Sequence, residues 1–366
     1  MKIIQLMLSL VSGGGERFVV DLSNELANEG HDVTICILRD NNVEPFGFNK
    51  QFINSNVKFH SLKLSPGFSF SKVIKVCKYI NAQQPDILHC HLNVIPYIFP
   101  IALLNRKIKI FHTLHNVAEK TCGGNRQRKL NHFFYKRFIQ PVTISKECQI
   151  SYQNFYGLNN APYIDNGRSK IIKSPQFDKV EREVISYKQT SETPVFIHIA
   201  RFAKQKNQDL LVDAFNQLQE KNIDFTLLII GNGFQSEEAQ KLKERACDKI
   251  HFLGEKNNIG DYLMCSDAFC LTSIFEGLPI TLLEALSVGV TPICTPVGGI
   301  PDVIVNGKNG YLSKEINIDS YTEAINCFLE RPIEKSILQR LFEAKYSMQI
   351  CAKKYVELYQ ANSNIK

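Results

Sequence analysis

Strand and helix patterns alternate along this chain in two long runs, and that alternation limits it to an open α/β architecture. In the first run Lys2–Leu10 reads as a strand. Glu16–Glu29 reads as a helix with Phe18, Val19, Leu22 and Leu26 on one face and Gly30 as its stop. Further strands are predicted at Val33–Leu38, Val57–Leu62, Asp86–His89, Lys109–His112, Val142–Ser145 and Ala161–Ile164, with a helix over Ser71–Ala82. The second run places strands at Val195–Ala200, Phe225–Ile230, Ile250–Leu253, Ala268–Leu271 and Thr291–Cys294. Helices over Asn207–Glu220, Ser236–Ala246 and Pro279–Ser287 separate them. Alternation of this kind predicts parallel sheets covered on both faces.

With 366 residues the chain has room for two domains. The expected fold class is therefore α/β, with two Rossmann-like, doubly wound domains facing a cleft. The polar stretch between Gly167 and Pro194 is the expected boundary, giving domains of 1–170 and 171–345, with 346–366 as a final helical segment. Ligands of such sheets bind beyond the carboxyl ends of the strands, so the loops there are the candidate sites.

Charge is distributed unevenly. Residues 1–165 carry 19 basic and 11 acidic side chains, whereas residues 166–366 carry 24 and 25. The basic half suits a partner that is phosphorylated, nucleic or a lipid surface. No zinc spacing or ribonucleoprotein signature supports nucleic acid, so none is expected as a partner. The 11 cysteines form no C-x-x-C pair and many lie in apolar runs, as Cys36, Cys77, Cys270 and Cys294 do. Reduced, buried thiols in a cytoplasmic protein are expected. The opening apolar segment lacks a cleavage site, and Val94–Leu104 is too short to span a bilayer.

Four loops carry chemical signal. Ser12-Gly13-Gly14-Gly15-Glu16 follows the first strand and opens a helix, which suits either an anion or a structural turn. It is not a dinucleotide fingerprint, because the later glycine is missing. In the loop after Val195–Ala200, Arg201 and Lys206 could converge on a diphosphate. The segment from Phe275 to Leu286 places Glu276 on a loop, then Gly277 and Pro279, then an apolar helix containing Glu284. Pro279 suits the first helical turn, and the amides near Leu278, Ile280 and Thr281 are then open to phosphate or sugar oxygens. Finally, His115 follows the strand that ends in Phe111-His112. His89 and His91 share one strand face, but no spacing completes a metal site, and none is expected.

Together these segments resemble family 4 of the retaining glycosyltransferases, of bacterial cell-surface polysaccharide type and GT-B fold. The resemblance runs from Gly13–Glu16 through Thr113–Asn116, Ile144–Lys146, Asn166-Gly167, Arg201–Lys206, Gly231–Gly233 and His251–Gly254. It continues through the Glu276/Glu284 pair to Pro296–Asp302. It implies a metal-independent hexosyltransferase that takes a nucleotide-diphosphate sugar, with uridine diphosphate the family's usual carrier, and needs no cofactor. Arg201 and Lys206 would neutralise the leaving diphosphate, Glu276 would bind donor-sugar hydroxyls, and Glu284 would bind the ribose. Amides of Gly277, Leu278, Ile280 and Thr281 would hold sugar and phosphate, Gly13 and Gly14 would approach the diphosphate, and His115 would lie near the reacting centre. The last helix, around Cys351–Tyr359, would cross back onto the N-terminal domain. One departure is Arg168-Ser169, where the family often has an aliphatic residue and Asp; it reads as a change in the linker.

Acceptor binding would fall to the N-terminal domain. Arg126, Arg128, Lys129, Lys136 and Arg137, with Phe133 and Phe134 among them and no acid from Lys120 to Arg137, suit an anionic membrane surface. A glycan or a polyprenyl-diphosphate-linked saccharide would be a fitting acceptor, with the protein peripheral on the inner face. Rival readings are a sugar-nucleotide epimerase or glycan phosphorylase of the same fold, or a non-catalytic partner subunit of a transferase.

Overall fold

The computed structural model describes residues 1–43 and 45–361. The chain forms two compact units, one of Met1–Ser169 joined by the segment from Tyr346, the other of Lys170–Lys345.

The first unit is built on six parallel strands: β1 (Lys2–Met7), β2 (Asp32–Ile37), β3 (Lys58–Ser61), β4 (Ile87–His91), β5 (Lys109–Leu114) and β6 (Gln140–Thr143). Their order is β3-β2-β1-β4-β5-β6. Near-continuous apolar runs such as Ile3–Met7 mark strands covered on both faces, and those side chains are fully buried. The helix Gly14–Asn28 packs on the C-terminal helix Met348–Ala361, which completes this unit with buried Tyr355 and Tyr359.

The second unit repeats the arrangement with β7 (Val195–Ile199), β8 (Thr226–Ile230), β9 (Ile250–Gly254), β10 (Ala268–Leu271), β11 (Thr291–Cys294) and β12 (Tyr311–Leu312). The order β12-β11-β10-β7-β8-β9 is the same winding as in the first sheet. Each sheet therefore reverses direction once, between β1 and β4 and between β7 and β10. At such a switch point neighbouring loops diverge and leave room for a ligand.

The expected two-domain α/β fold is borne out, with local corrections. Ala161–Ile164 is not a strand. Pro162 has no N–H to give a ladder, and only a single bridge joins Tyr163 to Thr143. The first strand stops at Met7, not Leu10. The polar stretch after Gly167 is no open linker: Phe177–Tyr187 is a helix that buries Phe177, Val180 and Val184. Arg168 is not a loose linker residue either. It is 4% exposed, its guanidinium pairs with the buried Asp21 carboxylate, and its backbone bonds to Tyr346 and Met348.

Candidate active site

In the second unit the loops at the switch point are tied to one another. β10 is followed by Thr272, whose hydroxyl donates to the Lys206 carbonyl at 3.0 Å in the loop after β7. Ile274 N–H donates to the Gln205 carbonyl, and Gln205 Nε2 donates to the Phe275 carbonyl, both at 2.8 Å. This lacing brings Lys206 Nζ to 2.5 Å from Glu276 Oε1, and Ser273 Oγ donates to the same oxygen at 2.6 Å. Both charged side chains are mostly buried, at 17% and 8% exposure, so the pair is held in a poorly screened setting.

A third loop presses on the same place. Gly298 has φ +61°, and a Cβ there would collide with the Glu276 carbonyl oxygen, so the loop after β11 approaches as closely as only glycine allows. Gly299 N–H donates to the Gly277 carbonyl at 2.6 Å. Glu276 and Gly277 are thus fixed from both sides.

The helix Ile280–Val288 starts directly beyond and has no side-chain cap. Pro279 is its N-cap residue and not, as the sequence suggested, its first helical residue. The amides of Ile280 and Thr281 stand in the first turn, where helices lack internal partners. Glu284 lies one turn further in, 2% exposed. Arg201 is exposed at the mouth of β7, and its carbonyl accepts from Gln208 Nε2 at 2.9 Å.

Sequence reading passed over the support for that loop. His198, in the middle of β7, is fully buried. Its Nδ1–H donates to the Cys270 carbonyl at 2.9 Å, which leaves Nε2 to accept from Gln208 Nε2 at 3.3 Å. Burial pushes the imidazole down to about 4, so it is neutral there. A histidine inside an apolar strand has no spacing signal, and only the register shows its partner.

In the first unit the corresponding loop follows β1. Gly13 is the N-cap of the helix Gly14–Asn28, and the Glu16 carboxylate folds back so tightly that a Cβ on Gly13 would strike it. His115, just past β5, lies against this turn, with its ring about 3.4 Å from where a Gly15 Cβ would stand. Its Nε2 is 3.0 Å from His91 Nδ1, and burial pushes its pKa down to about 3. The expected loop position of His115 is thus observed, beside Gly13–Gly15. His89 and His91 do share a face, with ring centroids 4.1 Å apart. They bond to Thr113 and Gln5, however, and among the described residues no group of three or more His, Cys, Asp or Glu is arranged to hold a metal ion.

The basic segment forms the helix Asn125–Arg137, with Arg126, Arg128, Lys129, Lys136 and Arg137 exposed. Phe133 is 44% exposed, but Phe134 must be removed from that face. At 2% exposure it belongs to the core, packed near Phe138, because the helix turns it inward by one residue. Arg128 is also committed internally: it donates to the Phe155 carbonyl and lies 4.5 Å over the Phe155 ring. Beside the helix end, a cavity of about 150 Å³ is rimmed by Arg106, Lys107, Lys109 and Arg137. Among the described residues no helix is long and apolar enough to cross a membrane.

Comparison with known proteins identifies the family. The Glycosyltransferase Family 4 profile matches residues 12–167, and the Glycosyl transferases group 1 profile matches residues 180–345. The chain belongs to glycosyltransferase family 4. It has the GT-B fold of such enzymes. A solved glycosyltransferase from Rickettsia africae superposes with a TM-score of 0.81, covering 99% of each chain at 20% identity. Anabaena Alr3699/HepE in complex with UDP and glucose gives 0.79, over 99% of this chain and 100% of that one at 19% identity. Among curated relatives, the N-acetyl-alpha-D-glucosaminyl L-malate synthase of Bacillus anthracis is 25% identical over 95% of this chain and 93% of its own length. An Escherichia coli UDP-Gal:alpha-D-GlcNAc-diphosphoundecaprenol alpha-1,3-galactosyltransferase is 25% identical over 69% of this chain and 68% of its own. This glycosyltransferase is thereby placed in the transferase class of enzymes.

Proposed function

We propose that this glycosyltransferase moves a sugar from a uridine-diphosphate donor to a glycan or lipid-linked saccharide in polysaccharide synthesis, with retention at the anomeric carbon and without a divalent cation. The observation that supports it best is the Lys206–Glu276 pair, laced into the switch point of the second unit beside Arg201 and an uncapped helix start. As the donor bond breaks, negative charge grows on the leaving diphosphate. Arg201 and Lys206 supply fixed positive charge there, which is the task a metal ion performs elsewhere. Glu276 accepts donor-sugar hydroxyls, and the amides of Gly277, Leu278, Ile280 and Thr281 hold sugar and phosphate oxygens. Glu284 takes the ribose hydroxyls. In the first unit, Gly13, Gly14 and His115 are the residues that the family resemblance assigns to the diphosphate and the reacting sugar. With retention, the acceptor hydroxyl attacks the face the diphosphate leaves, and a phosphate oxygen takes its proton.

The names of the relatives point the same way. The E. coli relative is named for transfer from UDP-Gal to a diphosphoundecaprenol-linked sugar, and the Anabaena protein was solved with UDP and glucose. Thermal shift with uridine, guanosine and adenosine diphosphates, in EDTA, tests the donor assignment. A rise with uridine diphosphate alone, absent in Arg201→Ala and Glu284→Ala, is expected by mass action. No rise at millimolar nucleotide, or a rise only with Mg²⁺, defeats it. The anomeric configuration of the product, read by NMR, tests retention.

A peripheral position on an anionic membrane is supported by the basic rim of Arg106, Lys107 and Arg137, and by Phe133 and Leu104, which are 44% and 84% exposed in the same unit. Apolar side chains set among cations bind such surfaces in a salt-sensitive way. Co-sedimentation with phosphatidylglycerol vesicles that vanishes in high salt and in Arg106→Glu/Lys107→Glu is the expected result. Binding indifferent to both would remove the membrane from the account.

A further inference from the structure

Beneath the loop that carries His115 lies a buried polar chain that the donor chemistry above does not use. β1, β4 and β5 are neighbours in the sheet, and each contributes a polar side chain to one face: Gln5, His91 and, just past the strand end, His115. Gln5 Oε1 lies 2.7 Å from His91 Nε2, and His91 Nδ1 lies 3.0 Å from His115 Nε2. Gln5 and His91 are fully buried, and Phe18 packs edge-on to both imidazoles, with centroids 6.5 and 5.5 Å away. His91 is shut off from water, so both of its ring nitrogens must be matched by the groups that face them.

A carboxamide oxygen only accepts, so His91 Nε2 carries the proton that bonds Gln5. A neutral imidazole has one N–H, so His91 Nδ1 is then an acceptor. The partner facing it, His115 Nε2, must donate. We infer that His91 is a positioning residue that locks His115 in the tautomer protonated at Nε2, leaving its Nδ1 lone pair on the edge that faces Gly15. That edge is fixed by contact: Cγ and Nδ1 are the His115 atoms nearest a Gly15 Cβ, at 3.4 and 3.6 Å. The opposite tautomer would set the His91 Nε2 lone pair against the Gln5 oxygen at 2.7 Å, or require a charged His91 in the core. Burial, with the neighbouring histidines, holds His91 well below its ordinary value and disfavours that charge.

His115 thus presents a neutral acceptor, not a donor, at the turn Gly13–Gly15. Its chemical complement is a hydroxyl hydrogen, such as that of a sugar. This consequence rests on the proposed donor reading; the tautomer does not.

Protein labelled with ¹⁵N in its histidine rings tests the inference through long-range ¹H–¹⁵N correlation, with the His115 signals assigned by their loss in His115→Gln. The wild type is expected to show His115 protonated at Nε2 and bare at Nδ1. His91→Phe removes the acceptor and should release His115 into a mixture of both tautomers, whereas His91→Asn, whose side-chain oxygen can stand near the Nδ1 position, should restore the wild-type pattern. Transfer should follow the tautomer: kcat falls roughly tenfold in His91→Phe, as orienting partners commonly contribute, with little change in donor KM, and recovers in His91→Asn. A wild-type His115 protonated at Nδ1 would show the Gln5 amide turned over and the whole chain reversed, and would overturn the inference. So would an unchanged tautomer in folded His91→Phe. If the tautomer behaves as expected but uridine-diphosphate sugars are not substrates, the donor reading fails and the positioning role stands.

Discussion

Lys206 Nζ and Glu276 Oε1 meet at 2.5 Å although 70 residues separate them, because β7 and β10 are neighbours at the point where the second sheet reverses direction. Removing one partner leaves the other charge with poor company. Lys206→Ala should lower stability by about 2 kcal/mol, less than a fully buried pair because Lys206 keeps some solvent contact. Glu276→Gln/Lys206→Met should regain most of that stability while remaining inactive. Urea unfolding beside a transfer assay separates the two effects; activity in the double variant would remove the pair from the chemistry.

Glycine at position 298 is set by space and by backbone together. Gly298→Ala should abolish nucleotide binding, because the added methyl meets the Glu276 carbonyl at a φ of +61°. Gly307→Ala is the control. Its φ is +71°, but nothing lies within 4 Å, so it should cost only about 1 kcal/mol and leave binding intact. Calorimetric titration with uridine diphosphate reads the contrast.

The buried histidines make the fold acid-sensitive. His112 and His198 are pushed down to about 4 and His115 to about 3, and His89 and His91 lie well below their usual value, all first by burial. The folded state therefore holds fewer protons than the unfolded one between the ordinary histidine value of 6.5 and those depressed values. Stability is full above pH 6.5 and falls as pH drops, by about 1.4 kcal/mol per pH unit for each histidine. Four of the five lie in the first unit, so its unfolding should shift more steeply between pH 6.5 and 4.5 than that of the second. Hydrogen exchange at several pH values checks this; equal slopes would contradict it.

The Arg168–Asp21 pair, with side chains 5% and 3% exposed, ties the residue that leaves the first unit to the helix Gly14–Asn28. Arg168→Ala should destabilise that unit by about 3 kcal/mol, with Arg168→Met costing less because it leaves no void. Exchange protection should fall first in Met348–Ala361, whose Met348 N–H bonds the Arg168 carbonyl at 3.0 Å.

The β/α alternation could be read directly, since β-branched runs and helix stops are local signals. The family and the Glu276/Glu284 spacing were legible for the same reason. Phe134 was misplaced because, in a helix rich in cations, its turn toward the core depends on what the rest of the unit presents to it. Ala161–Ile164 looked extended, but Pro162 cannot feed a ladder. Arg168 was read as linker because nothing local announces Asp21, 147 residues away. His91 and His198 escaped for a deeper reason: a histidine's role is set by what faces each nitrogen, and that is decided by strand order.

The return of the last helix also has a temporal side. The second unit lies wholly within the interval between Ser169 and Tyr346, so a ribosome finishes it before it makes Met348–Ala361. Until Tyr355 and Tyr359 emerge, Thr113 and His89 lack the phenols that bond them at 2.9 and 2.7 Å, and that side of the first sheet stays open. The half of the chain that begins first is therefore the half that closes last.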